Sequence, residues 1–160
     1  MGRFVIRVLI MALSMLPATA LARPAETYTV AYKTVTGATV NQLIASLNRQ
    51  RTAGSWAFTY WKVTRSGCRT ALVIRQTLPA WHDGGKAPGA VRRKWNSFHA
   101  ALLAHEAHHV QIARNAAAEV DALSCSADDL KVLRKWIATE RDFDRRTQHG
   151  IKTGATLRYE

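Results

Sequence analysis

The chain has 160 residues and a formal net charge of +12; that length fits one domain with one core rather than two. The positive balance favours anionic partners in general. However, Arg49 and Arg51, Arg92 to Lys94, Arg134 and Lys135, and Arg145 and Arg146 are dispersed and form no dense cluster interleaved with aromatics, so no specific nucleic-acid partner is expected.

The first stretch, MGRFVIRVLIMALSMLPATALA, has the layout of a secretory signal peptide. Arg3 and Arg7 open it, an apolar run from Val8 to Leu16 follows, Pro17 breaks the run, and Ala20 and Ala22 supply small residues before a cut. Cleavage is expected after Ala22, with Ala20 as the alternative. It would leave residues 23–160 as a single periplasmic or secreted domain with a net charge of about +10. The apolar run is too short to span a bilayer well, so no stable membrane span is expected after its removal. No cysteine lies near the cut, which argues against a lipid anchor.

Glu26 to Val35 alternates in the manner of a strand, with Tyr28, Val30 and Tyr32 on one side. Val40, Leu43, Ile44 and Leu47 recur at helical spacing and predict a helix over Thr39 to Gln50. Ala57 to Thr64 and Arg69 to Thr77, separated by Arg65, Ser66 and Gly67, read as a β-hairpin. Pro79 to Gly89, with Trp81 and His82, reads as a loop.

From about Val91 to Leu123 a long amphipathic helix is expected. Trp95, Phe98, Leu102, His105, His109, Ile112 and Ala116 fall on one face of it. Ser124 and Ser126 can cap a second helix, with Asp128 and Asp129 in its first turn and an apolar stripe of Leu130, Leu133, Trp136 and Ile137. That helix should end near His149, with Gly150 as its stop.

Chemistry enters at HEAHH, His105 to His109. Histidines at i and i+4 sit on one helix face about 6 Å apart along the axis, so both rings can point at one ion. Zinc takes histidine nitrogen at about 2.0–2.1 Å in a tetrahedral set. Glu106 follows the first ligand, where the glutamate of an HExxH helix serves as general base on the attacking water. Two ionisable rings on an apolar face otherwise lack a reason to be there. His108 points to a different face.

A third ligand is needed. Asn115 stands where a histidine would extend the motif. Glu119 would lie about 21 Å from His105 along a continuous helix, out of reach. The search therefore moves to the following helix and its end: Glu140, Asp144 and His149, of which Glu140 and Asp144 share a face with Thr147 one turn on. His82 and His99 are weaker candidates.

Several elements together resemble a bacterial family of secreted or periplasmic zinc-dependent protease-like proteins, defined as a domain of unknown function (922). They are Thr59 to Trp61, Leu78 to Trp81, Trp95 and Phe98 ahead of the HExxH motif, the Phe143 to Gly150 segment, and Cys68 with Cys125. The resemblance covers nearly the whole chain after the signal. It implies that Asp144, Thr147 and His149 belong to the site. Read with the spacing, it puts His149 first as third ligand and lets Asp144 orient a ligand histidine through its free ring N–H. Glu140 is the main competitor. Cys68 and Cys125 can form a disulfide in an oxidising compartment, closing a long loop worth roughly 4 kcal/mol.

The expected fold is α+β: a small antiparallel sheet packed on the HExxH helix and the next helix, in a zincin-like arrangement. The expected function is a zinc-dependent metallohydrolase acting on a peptide or protein substrate. The rival is a non-catalytic basic envelope protein with a structural metal or an anionic-polymer-binding role. Closed four-ligand coordination, or salt-sensitive binding indifferent to zinc, would mark that rival.

Overall fold

The computed structural model describes residues 24–123, 125 and 128–159. The expected signal peptide and the two capping serines lie outside them. The elements are β1 (Ala25–Val35), α1 (Val40–Arg49), β2 (Phe58–Ser66), β3 (Arg69–Trp81), a 3-10 turn at Gly84–Lys86, α2 (Gly89–Ala122), α3 (Asp129–Thr147) and a 3-10 turn at Ile151–Thr153.

Thr39 starts α1 with a capping box. Its hydroxyl accepts from the Gln42 N–H at 3.3 Å, and the Gln42 side chain accepts from the Thr39 N–H at 3.3 Å. β2 and β3 are antiparallel and pair as far as Ser66 with Arg69, around a two-residue turn. Gly67 takes φ +59° in that turn, the left-handed conformation a tight hairpin demands.

The sheet is mixed, in the order β1-β3-β2, with β1 parallel to β3 from Ala25 opposite Ala71 to Val35 opposite Trp81. This corrects the expectation of an antiparallel sheet. Alternation assigns faces to a strand but not its partner, and α1 with β2 supplies a connection long enough for a parallel return. β3 also runs further than expected, through Pro79 to Trp81. Past Thr77 the β2 side of β3 is unpaired, so the missing N–H of Pro79 breaks no ladder there.

α2 is 34 residues long and unbroken. Its buried side divides between two cores. Trp95, Phe98 and Leu102 pack with α1, Val35, Leu78 and the tail residues Ala155 and Leu157. Val110, Ala113, Ala116, Ala117 and Val120 pack with Val63, Leu72, Ile74 and Val132. His105, Glu106 and His109 fall at the seam between them and are 6%, 5% and 6% exposed.

α3 uses only part of its expected stripe. Leu133, Trp136 and Val132 reach the second core, whereas Leu130 and Ile137 are exposed. It stops at Thr147, two residues earlier than expected, because Gln148 and His149 turn left-handed at φ +50° and +51°. Cys68 and Cys125 are disulfide-bonded with Cα atoms 4.8 Å apart, tying the hairpin turn to the α2–α3 joint. Among the described residues no helix is long and apolar enough to cross a membrane.

Candidate metal centre

α2 presents His105 and His109 on the side facing α3. Their Nε2 atoms are 3.2 Å apart, and Asp144 Oδ1 lies 3.2 Å from each. The three atoms form an equilateral triangle. Ligands at about 2.0–2.1 Å from an ion in a tetrahedral set are separated by about 3.3 Å, so the triangle has the size of one face of a zinc tetrahedron. Asp144 Oδ1 is buried and, apart from the two histidine nitrogens, has no polar partner among the described residues. With both Nδ1 atoms protonated, three lone pairs turn toward one point and repel one another unless a cation lies between them.

Asp144, rather than His149, is thus brought to the histidine pair. His149 sits past the end of α3 with a largely exposed ring, its Nδ1 3.4 Å from the other Asp144 oxygen, Oδ2. Behind His109, Nδ1 lies 3.3 Å from Glu140 Oε1, and the Trp61 indole N–H donates to that same oxygen at 2.9 Å. Glu140 therefore stands where Asp144 was expected, as the carboxylate behind a histidine ring. Thr147 accepts from the Gly150 N–H and donates to the Phe143 carbonyl, so it braces the turn rather than touching the cluster. Glu119 bonds Lys135 and Trp136, away from the site. His99 stacks on Trp95 with its Nε2 3.2 Å from the Pro79 carbonyl oxygen.

Glu106 is held from β2. The Thr59 hydroxyl donates to Glu106 Oε2 at 2.5 Å, and Gln76 Nε2 donates to Thr59 Oγ1 at 3.0 Å and to the Glu106 carbonyl at 3.2 Å. Burial pushes the Glu106 carboxyl above its ordinary range, against the Thr59 hydrogen bond. Burial also pulls the pKa of both histidine rings down. In His105 it prevails, reinforced by the charge of His109. In His109 the carboxylates of Glu140, Asp144 and Glu106 outweigh it and the ring is pushed up.

Phe143 stacks on His105 at 4.8 Å and on His108 at 3.9 Å and meets His109 edge-on at 5.3 Å, fixing the rings. Gly150, at φ +84°, lies so close that a Cβ there would stand 3.2 Å from His105 Cγ. The roles of Thr59, Gln76, Trp61 and Phe143 were not read from the sequence. Gln76 did leave a signal, as a polar residue in the inward alternation of Leu72, Ile74 and Leu78. The centre opens on a cleft of about 720 Å³ lined by Arg51, Trp56, Phe58, Tyr60, Ile137 and Arg141.

A family model described as a bacterial protein of unknown function, DUF922, matches residues 30–150. The chain belongs to the DUF922 family. No curated protein and no solved structure matches it. The DUF922 span contains the histidine pair, Glu106, Thr59, Gln76, Glu140 and Asp144, and it ends at Gly150, the residue seated against His105.

Proposed function

We propose that this DUF922 protein is an exported zinc-dependent metallohydrolase of zincin-like arrangement, cleaving peptide bonds in a peptide or protein. The observation that carries the reading is the triangle of His105 Nε2, His109 Nε2 and Asp144 Oδ1 beside a buried glutamate at the mouth of a cleft. His105, His109 and Asp144 would hold the zinc, and Glu140 would orient His109 from behind. Three protein ligands next to an open cleft suit a catalytic rather than a closed structural site. The Cys68–Cys125 bridge fits an oxidising compartment, hence export.

When bound, the ion supplies Lewis acidity, polarising a carbonyl and lowering the pKa of water. The rest of the work falls to the chain. Thr59 occupies Glu106 Oε2, which leaves Oε1 to take a proton from the attacking water and return it to the leaving amine. Burial raises the proton affinity of Glu106, as suits a base that must also act as an acid near neutral pH. β2 is an edge strand on the cleft side, so an extended peptide can add to it through main-chain hydrogen bonds.

Hydrolysis of casein and of a fluorogenic peptide library by zinc-loaded protein tests the reading. Glu106→Gln should lower turnover by roughly 10²- to 10⁴-fold while keeping metal. Full activity in that variant would sink the assignment.

A further inference from the structure

Behind the proposed base lies a chain of hydrogen bonds whose direction follows from chemistry. Gln76 Nε2 reaches the Glu106 backbone carbonyl at 3.2 Å, and that carbonyl can only accept. This end of the Gln76 amide is therefore the NH₂, and the other end is the carbonyl Oε1. Oε1 then accepts from the Tyr28 hydroxyl. The second Nε2 hydrogen goes to Thr59 Oγ1 at 3.0 Å, so the Thr59 proton is free to point at Glu106 Oε2, 2.5 Å away. The run Tyr28, Gln76, Thr59, Glu106 crosses β1, β3, β2 and α2 in one sense and ends on a carboxylate.

Thr59, Gln76 and Glu106 are 7%, 5% and 5% exposed, so water competes little for the Gln76–Thr59 and Thr59–Glu106 bonds, whereas Tyr28, 44% exposed, forms the solvent end of the chain. Tyr28 can belong to the chain because of the parallel β1–β3 register. It lies opposite Ile74, on the same face as Gln76 two residues on.

We propose that Thr59 is the positioning residue of the general base, oriented by Gln76 and anchored at the far strand by Tyr28, and that it dedicates Glu106 Oε2 to a fixed donor so that only Oε1 meets substrate water. This rests on the metallohydrolase reading, and it deepens that reading by assigning a role to a strand hydroxyl outside the His105, His109 and Asp144 cluster.

The test uses the full mature chain with Thr59→Val, which keeps the β-branched shape and removes the proton, and Thr59→Ser, which restores it. In zinc-loaded protein acting on casein-derived fluorogenic peptides, Thr59→Val should lower kcat by roughly 10- to 100-fold, the range for one hydrogen bond to a charged group. KM should stay within about twofold and zinc content should not change, because the bond acts after substrate is bound. Thr59→Ser should recover most of kcat.

The second readout needs no turnover. In metal-free protein carrying ¹³C-labelled glutamate, the Glu106 carboxyl resonance, assigned by its loss in Glu106→Gln, should move in Thr59→Val and return in Thr59→Ser. A Glu106 resonance unmoved in Thr59→Val, or a kcat kept at half the wild-type value or more, overturns the proposal. A hydroxyl of purely structural use would lower the melting temperature without moving that resonance. Absence of hydrolysis by wild type together with a moved and restored resonance would sink the enzymatic reading and leave the Thr59–Glu106 coupling standing.

Discussion

His105 Nε2, His109 Nε2 and Asp144 Oδ1 converge because three constraints act on three side chains. Helical spacing aligns the histidines. Phe143, stacked on His105 and edge-on to His109, limits how their rings can turn. Asp144, one turn beyond Glu140 on α3, is delivered between them while Glu140 stops at the back of His109. Glu106 is buried beside these histidines. Its pKa is raised above the ordinary 4.5, with burial as the main cause. A carboxyl raised on folding holds its proton more tightly when folded, so its ionised form costs stability above the folded pKa, and the cost vanishes below the unfolded value. In metal-free protein Glu106→Gln should therefore melt higher than wild type at pH 7, and the gap should close as pH falls below 4.5. Melting curves across that range check it; a variant less stable than wild type at pH 7 would contradict it.

At the scale of elements, the end of α3 matters most. Gln148, His149 and Gly150 run left-handed in succession, which turns the chain back under His105. Replacing Gly150 by alanine sets a Cβ 2.8 Å from Ala155 Cβ and 3.2 Å from His105 Cγ, at a φ of +84°. A loss of about 1–3 kcal/mol in denaturant unfolding is expected, with weaker zinc affinity because His105 must shift. Unchanged zinc affinity would show that His105 does not depend on this turn. The disulfide joins elements 57 residues apart in sequence. Cys68→Ser with Cys125→Ser should lower unfolding free energy by roughly 4 kcal/mol if the chain-entropy account holds. Zinc binding should survive in the folded fraction, since the bridge lies past the C-terminal end of α2 and His105 at its middle.

Across the whole molecule, the centre occupies the seam where α2 passes from one core to the other. That position explains what could be read in advance. The helix face with its histidines, α1 and the hairpin are local patterns, and neighbouring residues carry them. The distance argument against Glu119 followed from helix rise alone, and α2 is indeed continuous past it. The parallel pairing of β1 is non-local, and nothing in its alternation names β3. The choice among Glu140, Asp144 and His149 turns on how α3 is rotated against α2 and where it stops. Glu140 and Asp144 were visible as one face, but the left-handed exit that carries His149 outward was not. Gln76 and Thr59 acquire meaning only once three strands are side by side.

Metal content by elemental analysis, after zinc loading and dialysis, tests the central claim most directly. Wild type and His149→Ala are expected to retain one zinc per chain, while His105→Ala, His109→Ala and Asp144→Ala lose it. Zinc kept in Asp144→Ala and lost in His149→Ala, or no zinc in wild type, would contradict the account.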